Sequence, residues 1–239
     1  MTAAQPTYLV LADQIAEEIA DWPPGKRLAS EVDLAERYSV SRLTARAALQ
    51  ELERRYLVRR AKGSGTYVAE RVDYLINSRF TSWSEMVRKA GATPSRPTVG
   101  VNVIRPSEEI RDRLRLPADA RVVELVRLGL VNDVVANLNR SYLPVDLAPG
   151  FPDLLANGAI DLAPVLSSIG YRLKRLWARA ELATPDPETA RALQVEGRPP
   201  LWLVINCVSD ATTGRRLQLS YAWNRPDVLH VQFEFGNPD

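Results

Sequence analysis

Arg42, Thr44 and Arg46 stand within the stretch VSRLTARAALQELERRYLVRRAKGSGTYV (residues 40–68), which gathers six arginines and one lysine and closes on Gly-Ser-Gly. An arginine fork can grip O6 and N7 of guanine together, whereas hydroxyls such as Ser41 and Thr44 suit phosphate oxygens. The formal charge of the whole chain is only +2, but it is unevenly spread. Residues 1–36 set two bases against seven acids; residues 37–62 set eight bases against two acids. Such asymmetry is the footprint expected where phosphates dock, and a merely solvated basic helix face would look the same. The surrounding elements decide between the two.

Tyr8, Leu11, Ala12, Ile15, Ile19 and Trp22 recur at steps of three and four, the period of an amphipathic helix, which Pro23-Pro24-Gly25 stops. Ser30 with Asp33 three residues on makes an approximate capping box, predicting a short second helix over 31–37. After a three-residue turn, Ser41 is placed to cap a third helix that Ala45, Ala48, Leu49 and Leu52 carry inward. Two helices so joined predict a helix-turn-helix, with Arg42, Thr44 and Arg46 off the apolar stripe near the start of the second. Residues 56–60 and 66–68 flank the glycines of 61–65 and read as a two-stranded hairpin, the wing.

The run GKRLASEVDLAERYSVSRLTARAALQELERRYLVRRAKGSGTYV resembles the winged helix-turn-helix of GntR-type bacterial transcription regulators. The resemblance implies that Arg42 and Arg46 contact operator bases, that Ser30, Ser41 and Thr44 hold backbone phosphates, and that Gly65 leads the wing into the minor groove. With these it places Glu31, Lys62, Gly63, Ser64 and Thr66 on the DNA-facing surface. Ala29 replaces the family's proline and Ala45 its usual valine. Tyr56 replaces the glycine that normally ends the recognition helix; a left-handed tyrosine costs roughly 1–2 kcal/mol, so the helix is expected to end differently here.

Beyond residue 70 the pattern turns to strands. Domains are expected over 1–69 and 80–239, with a linker over 70–79. Val99, Val101 and Val103 alternate with polar neighbours; residues 121–131 and 134–143 flank Asn132-Asp133, and 201–209 and 215–223 flank residues 211–214. These predict antiparallel hairpins. Helices are signalled over 82–89, 107–114, 161–169 and 186–194, giving an α+β fold rather than alternating βαβ units. SEEIRDRLRLPADARVVELVRLGLVNDVV echoes DPETARALQVEGRPPLWLVINCVSDATTG when Leu114 meets Leu193, which suggests a pseudo-duplicated sheet with its helices on one face.

SWSEMVRKAG, RVVELVRL, NRSYLP and LQLSYAWNRPD resemble, in order and spacing, the chorismate-lyase-like effector-binding (UTRA) domain of the HutC-like branch of that family. The resemblance implies an effector site at Ser82, Trp83, Ser84, Arg127, Asn139, Tyr142, Ser220 and Arg225. A helix N-terminus beside Ser82 favours an anion. Gly129 stands at a frequent second arginine, and Asn139 and Gln218 replace frequent glutamates, which argues against the amino-sugar phosphates sensed by some relatives. NSRFTSWSEMVRKAG is also similar to regulators of phosphonate use. For each residue singly, a helix cap or an ordinary salt bridge remains the alternative.

The lone Cys207 and lone His230 sit in apolar, strand-like runs, so neither a disulfide, a metal site nor a cofactor is expected. No apolar run reaches the ~20 residues a bilayer crossing needs, and the polar, acidic start is unlike a signal peptide, which predicts a cytoplasmic protein without a membrane partner. The sequence therefore predicts a homodimeric, ligand-responsive regulator of double-stranded operator DNA, a repressor released by a small metabolite, anionic or phosphorylated in the reading favoured here. An architectural DNA-binding protein without effector, or a lyase-like enzyme, is the alternative.

Overall fold

The computed structural model describes residues 6–61, 63–69, 72–77, 81–148, 150–151, 155 and 161–234. It divides into two compact units, Met1–Arg71 and Val72–Asp239. Among the described residues no helix is long and apolar enough to cross a membrane.

In the first unit α1 (Thr7–Ile19) turns Leu11, Ala12, Ile15 and Ile19 inward. Ser30 caps α2 (Glu31–Arg37) in a complete capping box: its hydroxyl accepts from the Asp33 N–H and the Asp33 carboxylate accepts from the Ser30 N–H. Ser41 accepts from the Thr44 N–H to start α3 (Arg42–Arg54), whose Ala45, Ala48, Leu49 and Leu52 pack against α1, Leu34 and Val58. The wing follows as β1 (Val58–Ala61) and β2 (Gly65–Val68), antiparallel from Val58↔Val68 to Ala61↔Gly65.

The end of α3 departs from expectation. Tyr56 does take the left-handed conformation, at φ 59°. The Tyr56 N–H reaches the Glu53 carbonyl at 2.9 Å and the Leu57 N–H reaches the Leu52 carbonyl at 3.0 Å, the bond pair of a Schellman cap. Leu57 packs onto the core beside Leu52, which holds the strained residue in place. Tyr56→Gly relieves a cost of roughly 1–2 kcal/mol but frees the unfolded chain by ~0.5–1 kcal/mol. The thermal midpoint should therefore rise by a few degrees, and a fall would show that contacts of the tyrosine ring outweigh its strain.

Glu51 is buried in α3 and accepts from Arg54 and Arg55, while Arg55 also reaches Asp13 on α1. Arg54, then Arg55, hold its carboxyl down at about 2 from an ordinary 4.5, against the pull of burial. A carboxyl depressed by folding contributes stability above pH 4.5 and loses it as pH falls towards 2. Thermal melts followed by far-ultraviolet circular dichroism should therefore show a steeper acid decline for the wild type than for Glu51→Gln; identical slopes would contradict this.

In the second unit, β3 (Val72–Ile76) pairs in parallel with β11 (Leu229–Phe233), from Leu229↔Val72 to Phe233↔Ile76. Five residues of the expected linker are therefore strand: Val72, Tyr74 and Ile76 alternate inward and find a partner more than 150 residues away. Next come α4 (Trp83–Lys89), β4 (Pro94–Ser95), β5 (Thr98–Ile104), α5 (Glu108–Leu114), β6 (Val122–Val131) and β7 (Val134–Pro144). The chain continues through α6 (Leu162–Ser168), β8 (Leu173–Ala183), α7 (Pro187–Ala192), β9 (Leu201–Asp210) and β10 (Arg216–Asn224). The main sheet is antiparallel with order β4-β6-β7-β10-β9-β8, and β5 also pairs with β6. The fold is α+β, as the strand and helix signals indicated.

The two echoing stretches share the order helix, loop, strand, turn, strand. Both helices end on a left-handed non-glycine, Arg115 at φ 55° and Gln194 at φ 57°. The two echoing helices, α5 and α7, share one face of the sheet, while α4 and α6 lie on the other. Trp83, Met86 and Val87 of α4 cover Ala136, Val204 and Ala222, and Leu162 and Leu166 of α6 cover Val123 and Leu125. Ile110 and Leu114 of α5 cover Val122 and Ile205 on the opposite face, where Leu193 after α7 packs on Leu138 and Leu201. Central strands buried on both sides need helices on both sides.

Candidate nucleic-acid interface and effector cavity

The first unit opens a groove between α2, α3 and the wing, lined by Glu31, Val32, Arg42, Arg46, Arg60 and Gly65 among others. Arg42 and Arg46 project from the start of α3, both exposed. Arg42 Nε lies 3.6 Å from Glu31, whose other oxygen takes Arg60 at 2.7 Å. Glu31 thus braces two cations across the groove. Arg46 makes no ion pair among the described residues.

The hydroxyls expected at phosphates are engaged locally. Ser30 Oγ donates to Asp33 at 2.7 Å, and Ser41 Oγ and Thr44 Oγ1 are hydrogen-bonded to each other at 2.8 Å. They anchor the helix starts whose free N–H groups face anions. In the wing, Ser64 bonds the Tyr67 hydroxyl at 2.7 Å, and Gly63 and Gly65 take φ values of 77° and 131°. A Cβ on Gly65 would lie 2.9 Å from Arg27 Nε, so glycine lets the wing lie against that arginine. Thr66 is buried, and its carbonyl takes the Leu28 N–H at 2.8 Å, so it ties the wing to the body of the unit. Lys62 lies outside the described residues.

In the second unit a cavity of about 50 Å³ lies under α4 and the start of α6, where one water needs roughly 10–15 Å³. A band of polar side chains crosses one face of the sheet to form its floor: Arg127 on β6, Asn139 on β7, Gln218 and Ser220 on β10, Asn206 on β9 and Arg175 on β8. Gln218 Nε2 donates to Ser141 Oγ at 2.9 Å, which donates to Asn139 Oδ1 at 2.7 Å. Asn206 Nδ2 donates to Ser220 Oγ at 2.6 Å. Arg175 donates to the Asn77 carbonyl at 2.9 Å.

Arg96, in the loop before β5, lies 5.4 Å from the centre of the Trp83 ring. Ser82 Oγ caps α4 and donates to Asp161 at 3.2 Å. Burial, then the charge of Arg96, draws Arg127 down to about 9, and Asp161 opposes them. Burial likewise lowers Arg96 and Arg175. Among the described lining residues, three guanidiniums thus share a small volume with one carboxylate. Asn206 Oδ1, Gln218 Oε1 and Trp83 Nε1 are buried without a hydrogen-bond partner among the described residues, unusual in a folded interior.

Of the expected effector residues, the cavity brings together Ser82, Trp83, Arg127, Asn139 and Ser220. It leaves three aside. Ser84 is buried in α4 away from the lining. Tyr142 points to the opposite face and donates to Glu124 at 3.1 Å. Arg225 is held in the turn after β10 by Asp227 and the Leu193 carbonyl. Gly129 explains the absent second arginine: a Cβ there would fall 2.4 Å from Asn137 Oδ1 and 2.8 Å from Trp83, whose ring occupies the space.

Arg96, Asp161, Arg175, Asn206 and Gln218 were not among the expected site residues. Gln218 carried a signal, as a departure from the resembled pattern; Arg175 and Arg96 carried none that local spacing shows. The cavity holds groups whose chemistry suits an anion. It contains no histidine, and among the described residues no cluster of three His, Cys, Asp or Glu could hold a metal. Cys207 is buried in the core of the opposite face.

The family description "Bacterial regulatory proteins, gntR family" matches residues 7–68, and "UTRA domain" matches residues 89–230. The chain is 27% identical to the HTH-type transcriptional regulator GgaR of Escherichia coli (strain K12) over 225 residues, 93% of this chain and 88% of that one. It is 29% identical to the HTH-type transcriptional repressor NagR of Bacillus subtilis (strain 168) over 145 residues, only 60% of either chain. Its fold is similar to the crystal structure of PhnF from Mycobacterium smegmatis, with TM-score 0.67 and 22% identity over 95% of this chain and all of that one. A gntR-type helix-turn-helix followed by a sheet-rich unit that the UTRA description covers for more than half the chain places this protein among the DNA-binding GntR-type transcription regulators that carry a UTRA domain.

Proposed function

We propose that the protein is a cytoplasmic, homodimeric repressor that a small phosphate- or phosphonate-like metabolite releases from its operator. The observation that carries this reading is the convergence of Arg96, Arg127 and Arg175 on a small cavity in which Asp161 is the only carboxylate among the described lining residues. Guanidiniums in a poorly solvated cavity bind a compact, multiply charged anion strongly and in a fixed orientation. The acceptors at Asn206 and Gln218 suit an organic part that carries hydroxyl or ammonium donors.

Support for repression comes from the resemblance to NagR, which is named a repressor. A dimer would set two recognition helices in successive major grooves, roughly 34 Å apart. The effector changes operator affinity only by its differential affinity for the two states of the dimer. The test is a titration of the full chain, bound to a duplex selected from a randomised pool, with inorganic phosphate, methylphosphonate and uncharged isosteres. Release by the anions alone supports the reading. Indifference to all of them favours an architectural protein.

A further inference from the structure

Leu43 is the most exposed of the large apolar side chains among the described residues, at 76%. It is the second residue of α3, next to Arg42 and three before Arg46, and all three are exposed. The core of the unit is filled from the other side of the helix by Ala45, Ala48, Leu49 and Leu52, so the fold gives Leu43 no packing role. Its setting is cationic. A partner that covers it must therefore present negative charge around an apolar point that a helix can reach. The major groove of DNA meets both conditions, since phosphates line its rim and the C5-methyl of thymine is the apolar group on its floor.

We propose that Leu43 is a specificity-determining residue that reads a thymine C5-methyl between the base contacts of Arg42 and Arg46. The proposal rests on the docking of α3 in the major groove. Selectivity then comes from two chemistries side by side: guanidinium forks that demand guanine, and an isobutyl group that demands a methyl. Burying one methyl group against Leu43 corresponds to about a fourfold gain in affinity per half-site.

The experiment uses the full chain and a duplex it selects from a randomised pool at one salt concentration. Each thymine of a half-site is replaced in turn by deoxyuridine, which keeps the pairing and removes only the methyl. For the wild type, one position per half-site should weaken binding about fourfold when its methyl is lost. Leu43→Ala should bind thymine and deoxyuridine duplexes alike, keep the guanine preference, and melt at the wild-type temperature. A scan flat within twofold, an unchanged methyl dependence in Leu43→Ala, or a lowered melting temperature that places Leu43 in the fold would each overturn the proposal. If no duplex is selected, the docking itself fails and the proposal falls with it.

Discussion

Arg46→Ala is expected to weaken binding to the preferred duplex by ~1–3 kcal/mol, about five- to 150-fold, and to abolish discrimination at one base pair of each half-site. Arg46 is exposed near the start of α3 and is paired with no carboxylate among the described residues, so its fork can take a guanine edge. Arg42 differs: it must leave Glu31, 3.6 Å away, or use that contact as a brace while it reads. Its alanine variant should show the smaller loss. The measurement is a panel of duplexes with single base-pair changes, bound at one ionic strength. A uniform loss over the panel with a reduced salt slope would instead assign Arg46 to a phosphate.

The first unit was largely legible because its signals are local. Ser30 and Ser41 announce helix starts through side-chain oxygens that accept N–H bonds three residues on, and α2 occupies the expected 31–37. The error there was also local. A tyrosine at φ 59° reads as forbidden until the anchor at Leu57 is seen, because strain is tolerated where packing over-determines it. The hydroxyls of Ser30 and Ser41, expected at phosphates for what they can donate, also serve the helix ends.

The second unit was legible in its elements but not in its assembly. β3 pairs in parallel with β11 across most of the domain, and no turn residue predicts such a partner. Helices on both faces could have been read from LWLVINCVSD, whose near-continuous burial belongs to a strand covered on both sides. The cavity is less readable still. Its polar band exists only once β6, β7, β10, β9 and β8 lie in register, and Arg96 joins it from a loop. Of the residues that the resemblance implies, Arg127, Asn139 and Ser220 line the cavity, whereas the strand's alternation sends Tyr142 to the other face.

Arg127→Met should split function from stability. Removing a buried cation from an anion site costs roughly 2–5 kcal/mol of ligand affinity, about 30-fold or more. The methionine keeps most of the apolar stem. Effector-free DNA binding should persist, while phosphate or methylphosphonate should no longer release the duplex. Folded stability should move the other way. A base drawn from the usual guanidinium range down to about 9 by burial and by Arg96 is disfavoured in its charged form on folding. That penalty is present at neutral pH and is relieved only as pH climbs through about 9 towards the ordinary guanidinium range. Methionine removes it, so the unliganded variant should melt no lower than the wild type and should show no thermal shift on adding the anion. A variant that fails to fold would make Arg127 a structural tie. One that folds and still responds would place the anion elsewhere.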